Sequence, residues 1–222
     1  MILNKNIFSN HNDIFTYSFD KKEDELLSID DIILKKGGIY TLYNHSGIGA
    51  SFFSSYLASK FKNPLIINTT NDFRVNKYNL MQNISLNNNI EDILSIINIA
   101  GASSSIDCIV IDKINTIVHT EEFNNSFSSD NNRYPSFCLQ KLLKSINYLT
   151  KRYKITFILL YNTKELLNKS NSILESNSDK VFKIEREKYL YSFGECIGYK
   201  LSINKEHKYN LYFNNEIKFK KS

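Results

Sequence analysis

Residues 37–61 read GGIYTLYNHSGIGASFFSSYLASKF, and they are the most informative stretch of the sequence for predicting the fold. The apolar run over residues 39–43 has the character of a buried strand. A short polar segment with glycines at positions 47 and 49 follows it, and an amphipathic run continues from Ser51 to Phe61. In the order strand, tight loop, helix, successive backbone N–H groups and a helix N-terminus face an anion. The stretch therefore predicts a phosphate-binding loop.

The loop departs from the phosphate-binding pattern G-x-x-x-x-G-K-S/T at its most important position. Laid on that pattern, residues 44–51 match at Gly49 and Ser51, Asn44 takes the place of the first glycine, and Ala50 takes the place of the lysine. Backbone amides and the helix dipole still attract phosphate. The candidate nucleotide-binding residues of the loop are His45, Ser46, Gly47, Gly49 and Ser51.

Two of these loop residues have alternative interpretations. Ser51 is either a Mg²⁺ ligand or the cap of the helix, and capping is the preferred interpretation. His45 either contacts a phosphate or is an ordinary exposed loop histidine.

Composition is typical of one intracellular α/β domain. The chain has 222 residues, of which 42% are hydrophobic, so it can bury a sizeable core. Its net charge of +5 is compatible with an anionic partner and does not require one. The odd set of 3 cysteines lacks metal-ligand spacing, which favours reduced thiols. No apolar leader and no run of membrane-spanning length is present, so we expect a soluble intracellular protein.

The remaining pattern predicts alternating strands and helices. Residues 1–25 are expected to form an N-terminal arm, and residues 26–222 one core domain. Residues 26–34 favour a short helix capped by Ser28, and Gly101 is expected to end a helix over 90–100. Further strands are predicted at 63–68, 106–112 and 155–161, a helix at 137–153, polar loops at 119–135 and 164–178, and short alternating strands from Lys180 onward. This order predicts a mainly parallel sheet flanked by helices, with an antiparallel C-terminal β-meander.

Four segments in this order resemble the RecA-like recombinase core over about residues 26–219. They are the degenerate loop at 44–51, the strand IDCIVIDKINTIV, the strand FILLYNT, and the C-terminal hairpins with alternating lysines and aromatics. The resemblance implies a RecA-like P-loop ATPase core. It also implies that Asp112 stands where active members hold Mg²⁺, although a carboxylate hydrogen-bonded to the loop helix is the preferred interpretation.

The departures from that family predict a protein without catalysis. Ala50 replaces the lysine, Thr70 falls near the position of the water-activating glutamate, and Thr163 replaces the glutamine that senses the γ-phosphate. Because preorganised positive charge on the transferring phosphoryl group is a principal catalytic term, efficient turnover is not expected. No catalytic residue and no metal ligand is assigned, no cofactor is required, and weak binding of ATP with Mg²⁺ is compatible with the loop.

Short, degenerate members of this family are recombinase paralogues, including the subunits of Shu-type complexes. That resemblance implies a heterodimer with a related paralogue or recombinase, contact with single-stranded DNA, and an accessory role in homologous-recombination repair. It implies a nuclear protein in a eukaryote and a cytoplasmic one otherwise, with no membrane partner. The implied DNA-binding cations are Arg133, Lys164 and Lys169, and the implied interface anchors are Phe8 and Phe15.

Three alternatives stay open. The basic helix face with Lys141, Lys144, Lys151 and Arg152 either contacts DNA phosphates or is a solvated surface. The chain is alternatively an active DNA-dependent ATPase in which Lys113 or a neighbouring subunit's lysine supplies the missing cation. It is otherwise a structural interaction module without a DNA role.

Overall fold

The computed structural model describes residues 26–29, 32–44, 49–69, 82–85, 90–103, 105–114, 134–162, 168–191, 194–203, 207–214 and 216–221. The strands are β1 Leu26–Ile29, β2 Ile32–Lys35, β3 Ile39–Asn44, β4 Pro64–Asn68, β5 Gln82–Ser85, β6 Cys108–Ile111, β7 Thr156–Asn162, β8 Lys180–Tyr191, β9 Gly194–Ile203, β10 His207–Asn214 and β11 Glu216–Lys221. The helices are α1 Gly49–Ala58, α2 Ile90–Ala102, α3 Tyr134–Tyr153 and α4 Asn168–Ser176.

Nine of the described strands form one sheet in the order β11-β10-β9-β8-β3-β7-β6-β4-β5. The strand of the opening stretch, β3, lies at its centre and runs parallel to both neighbours, β7 and β8. The pairs β7–β6, β6–β4 and β4–β5 are also parallel. From β8 onward the pairing is antiparallel, so the chain ends in a meander. The predicted α/β fold, with its parallel sheet and antiparallel C-terminal edge, is confirmed.

Helices cover both sides of the parallel strands. Successive residues of a strand point to opposite faces. Ile39 and Tyr43 therefore pack on the side of α2 and α3, while Tyr40 and Leu42 pack on the side of α1. Every residue of β4 and β6 is buried. Burial from both sides explains why these strands are apolar without alternation.

The expected helix over residues 26–34 is wrong. This segment is an antiparallel hairpin of β1 and β2, in which Ile29 lies opposite Ile32. Ile32 and Leu34, two residues apart, are 2% and 0% exposed and join the core on the α1 side. Burial with a period of two is the pattern of a strand. Ser28 therefore lies in a strand and caps no helix.

Other element boundaries also differ from the prediction. Helix α3 begins at Tyr134 because Pro135 is tolerated in a first turn, where its missing N–H has no helical partner. Strand β5 lies in an Asn-rich polar stretch where no strand was predicted, and it forms by parallel pairing with β4. Helix α2 continues through Gly101 to Ala102, so Gly101 is not the terminal residue. A Cβ atom on Gly101 would lie 2.4 Å from Leu149 Cδ2, so a larger residue here would have to displace the Leu149 side chain.

Candidate functional site

Polar residues gather where the central parallel strands end. In register, Asn44 of β3 lies opposite Asn162 of β7, and Ile111 of β6 lies opposite Leu159 of β7 and Ile67 of β4. In open α/β sheets ligands bind outside the carboxyl ends of the strands, where helices depart to opposite faces. Here α1 follows β3 on one face, while α3 follows β6 on the other. We call this part of the sheet the carboxyl edge.

Helix α1 begins directly after the candidate loop and is pressed against the sheet. Gly49 is its first residue. Ala50 is 3% exposed and belongs to the apolar cluster that also contains Phe53 and Leu57. The position at which a phosphate-binding loop carries its lysine is therefore a methyl group in the core. The other candidate loop residues, His45, Ser46 and Gly47, lie outside the described residues.

Ser51 is the third residue of α1, so the expectation that it caps the helix is wrong. A capping residue precedes the first helical residue, and its side-chain oxygen accepts from the free N–H of the second or third helical residue. The carbonyl of Ser51 accepts hydrogen bonds from Ser54 Oγ at 2.9 Å and from Ser55 Oγ at 2.7 Å. Its half-buried hydroxyl lies on the first turn of α1, next to the carboxyl edge.

Asp112 lies at the end of β6 and is 1% exposed. Its backbone N–H donates to the Ile67 carbonyl at 3.0 Å, and its own carbonyl accepts from Thr69 Oγ1 at 2.6 Å. These bonds fasten the end of β6 to the end of β4. The carboxylate is thus held at the carboxyl edge by the fold itself.

Lys113 follows in the left-handed region, with a φ of +48°. Residues other than glycine adopt this region at a cost of about 1–3 kcal/mol, and such residues cluster at functional sites. The buried Ile114 comes next, so the chain turns sharply while returning to the core. The sequence carries no signal for this conformation, because lysine is not a typical left-handed residue.

Most of the predicted DNA-binding and interface residues lie outside the described part of the chain. This holds for Arg133, Lys164, Phe8 and Phe15, and also for Thr70 and Thr163. The backbone of Lys169 lies in α4, within a segment that was predicted to be a loop. That prediction is wrong because Leu174 is 0% exposed and anchors the helix in the core.

Burial suppresses the ionisation of two side chains in the central strands. The pKa of Tyr43 is raised, chiefly by burial and further by the nearby Glu175 and Tyr161. The Tyr43 hydroxyl donates to the Asn171 carbonyl at 3.1 Å. The pKa of the Cys108 thiol in β6 is raised, chiefly by burial and further by the charge of Asp107. A thiol needs its thiolate form to act as a nucleophile, so Cys108 is a core residue.

The described residues of the carboxyl edge provide few groups for a nucleotide. Across the described ranges no group of three or more His, Cys, Asp or Glu side chains is placed to hold a metal ion. Ala50 provides no cation for a phosphate. The described groups that could face a nucleotide are the helix N-terminus at Gly49, the hydroxyl of Ser51 and the carboxylate of Asp112. Separately, none of the helices in the part of the chain that the structure covers is long and apolar enough to cross a membrane.

Comparison with known proteins shows the fold. No protein-family model and no curated protein sequence matches the chain. The flagellar accessory protein FlaH from Methanocaldococcus jannaschii is similar in structure, with a TM-score of 0.63 and 15% identity over 84% of this chain and 91% of that chain. A KaiC-like protein from Pyrococcus horikoshii has a TM-score of 0.55 and 15% identity, over 84% of this chain and 90% of that chain. The chain thus has the RecA-like fold, and at this identity the likeness extends to the fold alone.

Proposed function

We propose that this protein is a non-hydrolytic RecA-fold subunit that acts by binding. In this proposal it docks on a related recombinase or recombinase paralogue, contacts single-stranded DNA, and assists homologous-recombination repair, as Shu-type subunits do. It would work in the nucleus of a eukaryote and in the cytoplasm otherwise. The observation that carries the proposal is the burial of Ala50, which is 3% exposed at the position of the loop lysine.

The physical argument starts from the chemistry of phosphoryl transfer. The protein contributes mainly positioned positive charge, and loss of one preorganised donor typically costs about 10²–10³ in rate. Ala50 contributes a methyl group to the cluster of Phe53 and Leu57. The retained Asp112 cannot compensate, because it adds negative charge beside the phosphates.

Weak nucleotide binding remains compatible with this site. The first N–H groups of α1 have no helical acceptor and attract anions. Bound ATP would then stabilise the subunit without being consumed. In that role Ser51 and Asp112 are the described side chains able to approach a nucleotide-bound Mg²⁺.

The test is a calorimetric titration with ATP and Mg²⁺ on the full chain, alone and with its co-purified partner. Phosphate release is measured in parallel. We expect weak binding or none, and no turnover in either sample. Micromolar binding accompanied by turnover would refute a non-hydrolytic subunit. The recombination role is tested separately, by adding the chain to its captured recombinase and measuring strand exchange, which we expect to rise.

A second candidate function is an ATPase that uses Lys113 as its cation. The observation in its favour is the position of Lys113, half-buried and at φ +48° directly after Asp112. The informative variants are Lys113→Gly, which suits that backbone conformation, and Lys113→Asn, which tolerates it. Both remove the ammonium group while keeping the turn. Turnover in the assembled complex that both variants abolish would establish this ATPase, whereas the non-hydrolytic proposal expects no turnover to lose.

A further inference from the structure

The opposite end of the sheet, where its central strands begin, carries a concentration of positive charge. We propose that this amino edge is a binding surface for single-stranded nucleic acid. The inference rests on the proposed function, and it places the DNA contact at the end of the sheet away from Ala50 and Asp112.

Hydrogen bonds join several distant segments into one continuous edge. Gly37 N–H donates to Thr156 Oγ1 at 3.0 Å, and Thr156 N–H donates to the Asp107 carbonyl at 3.0 Å. The Asp107 carboxylate in turn accepts from the backbone N–H groups of Lys62 and Asn63, both at 2.9 Å. The entries to β3, β4, β6 and β7 are therefore held side by side.

In the part of the chain that the structure describes, cations outnumber carboxylates at this edge. Its cations are Lys35, Lys36, Lys60, Lys62, Lys151, Arg152, Lys154 and Lys180. Among the described residues, its carboxylates are Asp107, bonded as above, and Asp179, whose Oδ2 accepts from Ile39 N–H at 2.8 Å. Residues 134–154 contain five Lys or Arg and no acidic residue, while the whole chain has 28 Lys and Arg against 23 Asp and Glu. Helix α3 and Lys154 together carry a charge of +5, which equals the net charge of the whole protein.

The cations form a row. Lys180 begins β8, Lys36 precedes β3, Lys154 precedes β7, and Lys62 precedes β4, and these strands lie within one run of neighbours, β8-β3-β7-β6-β4. Neighbouring strands are about 4.8 Å apart, so the row is about 19 Å long. A linear polyanion matches such a row, because its charges are spaced along one direction.

Aromatic rings are interleaved with the cations at the end of α3. Tyr148 and Tyr153 are 54% and 43% exposed, and their ring centroids lie 6.4 Å apart in an edge-to-face arrangement. The Arg152 guanidinium lies 5.9 Å from the first centroid and 5.6 Å from the second. On the α1 side, Lys60 Nζ lies 4.7 Å from the ring centroid of Tyr56.

This combination favours a nucleic acid over an acidic protein. Single-stranded DNA and RNA are bound by a basic track with aromatic rings on which bases stack, and arginine adds cation–π attraction. An acidic protein would bind the same cations, whereas the stacking of bases on the rings is specific to a nucleic acid. The exposed rings of Tyr148 and Tyr153 provide the stacking surfaces.

The experiment measures fluorescence anisotropy of labelled oligothymidylate with the full chain, over about 50–200 mM salt. The edge variant is Lys62→Ala with Lys151→Ala. Its matched control is Lys141→Ala with Lys183→Ala, which removes two exposed lysines that pair with Glu91 and Glu185 away from the edge. Both variants have the same net charge, and circular dichroism verifies that both are folded.

We expect the edge variant to lose about tenfold in affinity and to reduce the salt slope by about 1.4, at about 0.7 for each lost phosphate contact. The control should lose much less. Tyr148→Ala should weaken binding by about fivefold to 100-fold at an unchanged salt slope, because it removes stacking and no charge.

Equal losses in the edge and control variants would overturn the inference. If the edge variant binds normally while Arg133→Ala, Lys164→Ala and Lys169→Ala together abolish binding, the inference fails and the proposed DNA-binding function stands. If neither the chain nor its assembled complex binds oligothymidylate, but the chain binds polyglutamate through Lys62 and Lys151, the surface is for an acidic protein and the DNA role fails with it.

Discussion

At the scale of single residues, three of the described residues have a left-handed backbone conformation, and they lie at the two edges of the sheet. Gly37 has a φ of +73° and Lys154 one of +57°, and they meet at the amino edge. Lys113, at +48°, lies at the carboxyl edge beside Asp112. Only glycine adopts such a conformation without a steric cost. The two lysines therefore hold conformations that their surroundings impose.

Gly37 is expected to be intolerant of a side chain. A Cβ atom there would lie 3.0 Å from both Lys154 Cα and the Thr150 carbonyl oxygen, which are backbone atoms that cannot move aside cheaply. Gly37→Ala should lower the free energy of unfolding by about 1–3 kcal/mol, measured by urea denaturation. Gly37→Asn tolerates the φ but has the same Cβ. Comparable losses in both variants would assign the cost to the clash, and wild-type stability in Gly37→Ala would contradict the prediction.

Tyr40 should make stability depend on alkaline pH. Burial chiefly raises the pKa of Tyr40 to about 12; Lys35 opposes the shift through a backbone hydrogen bond and Asp179 adds to it. The folded state thus keeps its proton more tightly than the unfolded state, for which the pKa is about 10. The stabilisation is fully present below about pH 10 and is lost as pH rises toward 12.

Tyr40→Phe separates this titration from the hydrogen bonds of the hydroxyl. That hydroxyl accepts from Lys35 N–H at 2.6 Å and donates to the Lys35 carbonyl at 3.0 Å. Near neutral pH the variant should be less stable by about 1–3 kcal/mol. At about pH 11 the gap between the wild type and the variant should narrow, since only the wild type carries the buried phenol. A gap that stays constant across this pH range would show that Tyr40 does not contribute to the pH dependence.

At the scale of elements, the close packing of α2 against α3 determines the geometry of the face opposite α1. Gly101 lets the two helices approach, and Leu149, 2% exposed, occupies the space above it. An ion pair between Glu91 and Lys141 joins the same helices near their starts. Both helices are thereby held parallel, so the C-terminal turn of α3 reaches the amino edge with its tyrosines and cations.

A double-mutant cycle tests this contact. Gly101→Ala gains about 1 kcal/mol of helix propensity but places its Cβ 2.4 Å from Leu149 Cδ2, so we expect a net loss of stability. In the background of Leu149→Ala the clash is absent, and the same change should stabilise. The coupling free energy from chemical denaturation should therefore be at least about 1 kcal/mol. Additive effects would mean that Leu149 does not restrict position 101.

At the scale of the whole molecule, the sheet separates two apolar clusters. One lies beneath α1 and includes Cys108, and the other lies beneath α2 and α3 and includes Cys138. Both thiols are buried, and burial and the neighbouring Asp107 raise the pKa of Cys108. Each cluster thus has its own chemical reporter of opening.

Thiol labelling should show whether the two layers open together. In a Cys196→Ser variant, we expect Cys108 and Cys138 to be labelled at equal rates relative to the unfolded chain. Both labelling rates should rise with urea in proportion to the population of the globally unfolded state, because the shared strands couple the two clusters. The labelled sites are separated by peptide mass spectrometry. Faster labelling of Cys138 with little dependence on urea would instead mean that α3 opens locally.

Much of the fold was predictable, and the reason differs between elements. The strands β4, β6 and β7 are continuous apolar runs, and α2 has apolar residues at helical spacing, so their local patterns are unambiguous. The short segment over β1 and β2 is ambiguous, because each strand has four residues of which three are apolar, and so short an apolar run fits a helix or a hairpin. Strand β5 contains few apolar residues and depends on its pairing with β4. At the candidate site, the strand-end position of Asp112 was predictable, whereas the left-handed turn after it was not.

The absence of a cation at position 50 follows from the sequence alone, because it depends only on which residue stands at the lysine position of a recognisable pattern. The sequence also determined the net charge of +5. The position of the positive charge on the molecule depends on the tertiary structure. The lysines at 36, 62, 154 and 180 are far apart along the chain, and they form one row because parallel pairing brings the beginnings of their strands to the same edge. Strand order depends on contacts between segments that are far apart in the chain, so local sequence patterns do not encode it.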